Sequence, residues 1–366
     1  MARKLSATNI HNIAIGASLF GAGGGGDPYI GELMAISAVE RFGPVTLVSP
    51  EEIADDALFL SICNIGAPSI LTEKFPKGTE PSMIFNKMSH YLGQPLAGTY
   101  PIEAGGVNSM LPIVLAAQKQ IPLVDVDGMG RAFPEVEMTT FAINGVAPTP
   151  MAIADERGNF HILETATPKW AERLGRDSVV EMGGTASAAE YPVTGRQLKS
   201  YGIHGIITLC EQIGELITGA SSNNGDSLGK LLTLTHGYHL FDGKVIDVTR
   251  FIRKGFNFGT VRFEGIKNDA GQELEVDFQN ENLVARRNEK LIASVPDLIS
   301  FCDYDTLKPA TAESIKFGKR LKVLGIPADL KWRTAQGLQA VGPRFFGYNF
   351  DYASLEHLQI NKKEGL

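Results

Sequence analysis

Residues 122–137, PLVDVDGMGRAFPEVE, hold the densest chemistry in the chain. An apolar run ends in Asp125 and Asp127, followed by Gly128, Gly130, Arg131 and Glu135. Two positions apart in an extended strand, the two aspartates are expected to point the same way. Such a pair divides into one acid and one base, or binds a divalent cation. Arg131 would neutralise the pair or hold an anionic substrate. The competing reading is structural: a salt-bridge network that fixes a tight turn.

Three further stretches offer partners. LFGAGGGGDPYIGE, residues 19–32, places Gly24, Gly25 and Gly26 before Asp27 and Pro28. Glycine lets backbone N–H groups approach a ligand closely. Asp27 is expected to cap the following helix, with Pro28 in its first turn. The loop is thus a helix-N-terminal donor array, or else only a capped turn. A nucleotide reading is disfavoured. No Lys-Ser/Thr pair follows the glycines, and residues 9–19 look helical where a dinucleotide fingerprint needs a strand. YPIEAGGVNSMLP, residues 100–112, sets Glu103 and Asn108 at another strand-to-helix junction. If their strands are neighbours, the junctions at 23–28, 103–109 and 125–135 meet. CNIGAPS…LTEKF, residues 63–75, adds Cys63 and Lys74. Cys63 as a nucleophile needs a base, and His90, the nearest histidine in sequence, has nothing to bring it there; a buried structural thiol is the simpler reading. His236 and His239 in THGYHLFDG fall in what reads as a strand, where an odd spacing sends them to opposite faces and weakens a metal reading.

The elements that must position these residues alternate in the first half. Helices are expected at 9–19, 28–41, 81–92, 107–118 and 134–143, and strands at 44–48, 57–63, 96–100 and 122–126, with Ser49 and Pro50 opening a helical turn. This βα alternation predicts a mainly parallel sheet covered by helices. After one long helix at about 194–217, strand patterns take over: LLTLTHGYHLF, KVIDVTRFI, TVRFEGI, LEVDF, NLVARR, KRLKVLGIPA and GLQAVGPRFFGY. Asp242-Gly243 and Asp269-Ala270-Gly271 read as hairpin turns. The fold class is therefore α/β plus all-β: an α/β domain over residues 1–165 and a β-barrel-like domain over 166–366. The terminal INKKEGL is expected to fray.

The 366 residues allow two domains, and 43% hydrophobic with 20% charged residues is an ordinary globular balance. A net charge of −7 without a basic cluster argues against nucleic acid as a partner. Three widely spaced cysteines without a CxxC pair argue against a disulfide framework and for a reducing compartment. The apolar part of the N-terminus is broken by His11 and Asn12, unlike a signal peptide. No run approaches the ~18 apolar residues of a membrane span. A cytoplasmic homo-oligomer without membrane association is the expectation.

GAGGGGDPYIGEL, GAPS with Glu73-Lys74 after it, PIEAGGVNS and VDVDGMGRAFPEVEM, in that order, resemble the family named for S-methyl thiohydantoin desulfurase. The terminal GPRFFGY extends the resemblance over nearly the whole chain. The resemblance implies an N-terminal α/β domain, a β-barrel-like second domain, and a place among enzymes that open hydantoin rings. The chemistry expected is hydrolytic removal of thiol from an S-methyl thiohydantoin or a related heterocycle, by water addition to the ring carbon. Asp125 and Asp127 would serve as base and acid, or hold a divalent metal as cofactor; Glu103 would share either role. The glycine N–H groups would stabilise developing charge, and Arg131 or Lys74 would anchor a substrate carboxylate. Gly24, Gly25, Gly26, Asp27, Lys74, Asn108 and Glu135 complete the expected binding set. Hydrolysis of an ordinary cyclic amide, and a non-catalytic partner subunit of a hydantoinase, stand as alternatives.

Overall fold

The computed structural model describes residues 2–66, 70, 73–74, 76–220, 226–253 and 255–364. The first part of the chain runs β1 (Arg3–Leu5), α1 (Ala7–Phe20), α2 (Pro28–Phe42), β2 (Val45–Val48), β3 (Leu58–Gly66), α3 (Glu80–Leu92), β4 (Leu96–Tyr100) and α4 (Leu111–Lys119). It continues through β5 (Leu123–Val124), β6 (Val126–Asp127), α5 (Thr140–Ile143), β7 (Met151–Ala154), β8 (Phe160–Leu163), α6 (Pro168–Glu181) and β9 (Thr185–Thr194). Strands β2, β5, β4 and β3 pair in parallel. The sheet order is β1-β2-β5-β4-β3-β9-β7-β8, with the outer strands antiparallel.

The apolar run of β3 serves both faces of this sheet. Leu58, Leu60 and Ile62 pack with Ile84, Phe85 and Met88 of α3. Phe59, Cys63 and Ile65 join a second cluster that reaches Trp332. A strand covered on both sides has no polar face to show, which is why it reads as continuous hydrophobicity rather than alternation.

Next come α7 (Gly195–Tyr201), β10 (Ile203–His204), α8 (Ile206–Ala220) and α9 (Ser227–Thr235). Strands β11 (Tyr238–Arg253), β12 (Phe256–Gly265), β13 (Glu273–Gln279), β14 (Glu281–Arg287), β15 (Lys290–Ser294), β16 (Leu298–Asp303) and β17 (Arg320–Ile326) follow, then α10 (Ala335–Val341) and α11 (Leu355–Glu364). These strands form one antiparallel sheet, ordered β15-β14-β13-β12-β11-β17-β16, that curls as a half-barrel around Phe241, Phe263, Phe278 and Phe301. The α/β plus all-β class expected from the sequence is thus observed.

The first sheet draws on both sides of residue 165. β9 lies between β3 and β7, and α8 packs on α1.

Several local expectations are corrected. The helix expected over 194–217 is two helices, because Gly202 and the left-handed Gly205 (φ +75°) interrupt it and β10 pairs with β6. Over 134–143 only the last turn, α5, is helical. The helix expected from Val107 begins at Leu111, since residues 105–110 form a loop. Asp242-Gly243 lies within β11 and is not a turn. The apolar stretch before His236 is α9, capped by Asp226. GLQAV is likewise part of α10 and not a strand. In both, a short apolar run carries no period that separates helix from strand. Asp269–Gly271 does turn between β12 and β13, and Ser49 caps a short 3-10 turn led by Pro50. The Ala67–Ser69 part of GAPS and the last two residues, 365–366, lie outside the described residues. Among the described residues no helix is long and apolar enough to cross a membrane.

Candidate functional site

A cavity of about 80 Å³ lies beyond the carboxyl ends of β3 and β4 and against the first residues of β14. That is where open parallel sheets take their ligands. Its walls come from Gly25 and Gly26, from Cys63–Gly66 at the end of β3, and from Glu103 and Asn108 after β4. The loop after β6 adds Met129 and Phe133–Val136, β9 adds Glu190, and the second sheet adds Asn280 and Glu281. The three junctions singled out in the sequence therefore meet.

The glycine loop joins two helices, α1 and α2, so no strand precedes it. Asp27 caps α2 by accepting the Tyr29 N–H at 2.9 Å, with Pro28 at the first helical position. Gly25 and Gly26 have φ of +74° and +81°. Gly25 O accepts the Val107 N–H at 2.8 Å. A Cβ on Gly25 would lie 2.6 Å from Gly105 Cα, and one on Gly106 would lie 2.4 Å from Gly26 O. The two glycine pairs interlock backbone to backbone, a fit no side chain permits. The Gly25 and Gly26 N–H groups have no acceptor among the described residues. Gly24 sits behind them, where a Cβ would lie 1.9 Å from Glu281 Oε1.

Glu103 is buried, with Oε1 accepting from Asn108 Nδ2 at 2.7 Å and Oε2 from the Phe133 N–H at 3.2 Å. Asn108 is itself fixed, since its Oδ1 accepts the Asn64 N–H at 2.7 Å. Burial pushes the Glu103 carboxyl up to about 7; the Asn108 and Phe133 donors and the Arg131 charge oppose that rise without cancelling it. Glu190 and Glu281 are each 3% exposed, and each has an Oε2 with no partner among the described residues. Burial drives both carboxyls well above the usual range, helped in each case by neighbouring carboxylates. Cys63 Sγ lies 4.0 Å from Glu190 Oε1, and burial pushes its thiol well up. Glu135 also lines the cavity and is pushed up to about 7, by burial and then by Glu137 and Glu172.

Other expected residues lie elsewhere. The chain bends at Asp125 between β5 and β6, so the period-two rule does not span the two aspartates. Asp125 Oδ1 accepts the Ile207 N–H at 2.8 Å, and its Oδ2 accepts the Thr208 hydroxyl, which anchors the start of α8. Asp127 is fully buried; its Oδ1 and Oδ2 take the Gly130 N–H at 2.8 and 2.9 Å, and Oδ1 also takes the Met129 N–H at 3.3 Å. Arg131 donates to the carbonyls of Pro296 at 2.8 Å and Asp297 at 3.0 Å, riveting the loop to the second sheet. Lys74 donates to the Met182 and Thr185 carbonyls and pairs with Glu156 at 2.8 Å. None of these four side chains lines the cavity. Among the described residues no three His, Cys, Asp or Glu side chains are grouped to hold a metal ion. His236 ends α9, and His239 pairs with Asp242 at 2.8 Å.

Glu190, Glu281, Asn280 and Arg176 were not singled out from the sequence. Glu190 does carry a signal, as the lone acid in the apolar strand TASAAEYPV. A buried acid in such a strand needs a reason.

An α/β sheet joined to a curled antiparallel sheet, with a carboxyl-lined cavity between them, defines the class of protein. The chain belongs to the S-Me-THD-like family: the model of its N-terminal domain matches residues 8–165 and that of its C-terminal domain residues 166–355. It is similar in fold to the crystal structure of a protein from Chromobacterium violaceum, with a TM-score of 0.79 and 22% identity over 96% of this chain and 100% of that one. No curated protein matches the chain.

Proposed function

We propose that this chain is an enzyme that hydrolyses S-methyl thiohydantoin or a closely related heterocycle in the cavity between its two sheets. The observation that carries the reading is the grouping of Glu103, held by two donors, with the unpartnered oxygens of Glu190 and Glu281 around a space open to a small ring. The family to which the chain belongs supports the choice of heterocycle.

The ring carbon bearing sulfur is electrophilic. The Glu103 carboxylate takes a proton from water as the water oxygen bonds to that carbon. The C=N pair moves to the ring nitrogen, which accepts a proton from Glu190 or Glu281. The C–S bond then breaks as C=O forms, and the proton held by Glu103 leaves with the thiolate as methanethiol. The ring nitrogen retains its proton, and the hydroxyl proton of the adduct returns to the acid that gave one. A carboxyl near 7 is suited to the base role, and carboxyls pushed well above their ordinary range by burial to the acid role. The Gly25 and Gly26 N–H groups supply donors for charge that develops on the adduct.

The test is to incubate purified protein with an S-methyl thiohydantoin and with plain hydantoin, assaying released thiol and ring opening. Thiol from the first substrate, lost in Glu103→Gln, is the expected result. Ring opening of plain hydantoin instead would point to a cyclic amide hydrolase. A folded protein that turns over neither would leave the partner-subunit reading in its place.

A further inference from the structure

We propose that Phe256, the first residue of β12, selects substrates whose ring carries an aromatic or bulky apolar substituent; this rests on the function proposed above. A cavity of about 80 Å³ has room for several waters or one small ring, so a substituent must leave it. Two of the residues that wall the cavity, Arg176 and Asn280, hold the β11–β12 hairpin. Asn280 and Asn257 are joined twice, Asn280 N–H to Asn257 O at 2.7 Å and Asn257 N–H to Asn280 Oδ1 at 2.9 Å. The Arg176 guanidinium lies 4.0 Å from the Phe256 ring centroid and donates to Gly255 O at 3.5 Å.

Beyond Phe256 the hairpin offers more aromatic surface. Phe258 meets Phe256 edge-on with ring centroids 6.3 Å apart and stacks at 5.6 Å on Phe251, which is 57% exposed. Glu135, Glu137 and Glu172 share this margin with Arg176, which is bound to Glu172, to Pro134 O at 3.0 Å and to Gly255 O, while Arg253 lies opposite Phe256 in the hairpin register. An uncharged planar or apolar group against Phe256 would gain contact without meeting those carboxylates.

The experiment compares kcat/KM for S-methyl thiohydantoins bearing benzyl, methyl or carboxyethyl groups at the ring carbon, in wild type, Phe256→Ala and Phe256→Leu. Binding of the matching plain hydantoins is measured by calorimetry, and melting temperatures check the fold. The expected wild-type order is benzyl above both methyl and carboxyethyl. The benzyl-to-methyl ratio should fall about tenfold in Phe256→Ala, mostly through KM, and less in Phe256→Leu. Turnover with the same ratio in all three proteins, or a preference for carboxyethyl, would overturn the selectivity while leaving the proposed reaction standing. Absence of both turnover and hydantoin binding in wild type would remove the reaction and this inference together.

Discussion

Asn108 joins the two strand ends that wall the cavity: its Nδ2 donates to Glu103 Oε1 at 2.7 Å while its Oδ1 accepts the Asn64 N–H at 2.7 Å. Both ends of the amide are used, so the orientation is set and Glu103 Oε1 faces a donor. Asn108→Asp would replace that donor with an acceptor beside a buried carboxyl. We expect the acidic limb of the kcat/KM profile to move to higher pH, because a second carboxylate disfavours ionisation of Glu103. Asn108→Ala, which removes donor and acceptor alike, should move it in the same direction.

The proposed mechanism needs Glu103 in its base form, so wild-type kcat/KM should rise with pH through about 7. Glu103→Gln should lower kcat by about 10²–10⁴-fold and abolish that limb. A profile flat from pH 5 to 8 in wild type would be inconsistent with Glu103 as the base.

The same carboxyl leaves a mark on stability. Its value in the folded protein, about 7, is above its ordinary 4.5. Between those values the folded chain holds a proton that the unfolded chain releases. Its contribution is therefore full below about 4.5 and is lost as pH rises through about 7. The unfolding free energy of wild type from denaturant melts should fall relative to Glu103→Gln across that window, by on the order of 3 kcal/mol at most. Free energies that stay parallel would show that Glu103 titrates normally.

Gly25→Ala should be far worse than an ordinary left-handed glycine replacement. Its Cβ meets the Gly105 backbone at 2.6 Å, whereas Gly78, at φ +78°, has nothing within 4 Å. Gly78→Ala should cost about 1–2 kcal/mol, from backbone conformation alone. Gly25→Ala adds a backbone clash at the cavity wall, so both stability and turnover should drop further. Urea melts and initial rates on the pair provide the comparison.

Asp125→Ala should act on the fold. It strips the acceptor from the Ile207 N–H and the Thr208 hydroxyl at the start of α8, a loss of about 1–3 kcal/mol. Turnover per folded molecule should stay within about tenfold of wild type for Asp125→Ala and Asp127→Asn. A selective loss of kcat without loss of stability would return the aspartates to the chemistry.

The sequence was most legible where chain direction and local capping decide the outcome. Asp27-Pro28, Ser49-Pro50 and the apolar β3 run announce their elements, because the cap bond and burial on both faces act over a few residues. Glu103 and Asn108 were readable as polar residues at a strand end. The placement of the aspartates was not legible, because a bend between β5 and β6 is invisible in an apolar-acid alternation, and their partners come from residues 129–130 and 207–208. Glu281 was hidden for a different reason. Its neighbour is Gly24, some 250 residues earlier, and only the docking of the second sheet creates that contact.

Glu190 sits on β9, which lies between β3 and β7 although it follows residue 165 in the chain. Recombination between relatives at that seam would bring in a foreign β9, and with it one cavity carboxyl, while keeping the native strands on either side. The register of Ser61 against Glu190 and of Ile153 against Ala188 would then be set by unrelated partners. Functional chimeras should be recovered only when the crossover spares β3, β7 and β9 as a set, so the inherited unit of this candidate site is a triplet of strands scattered along the gene.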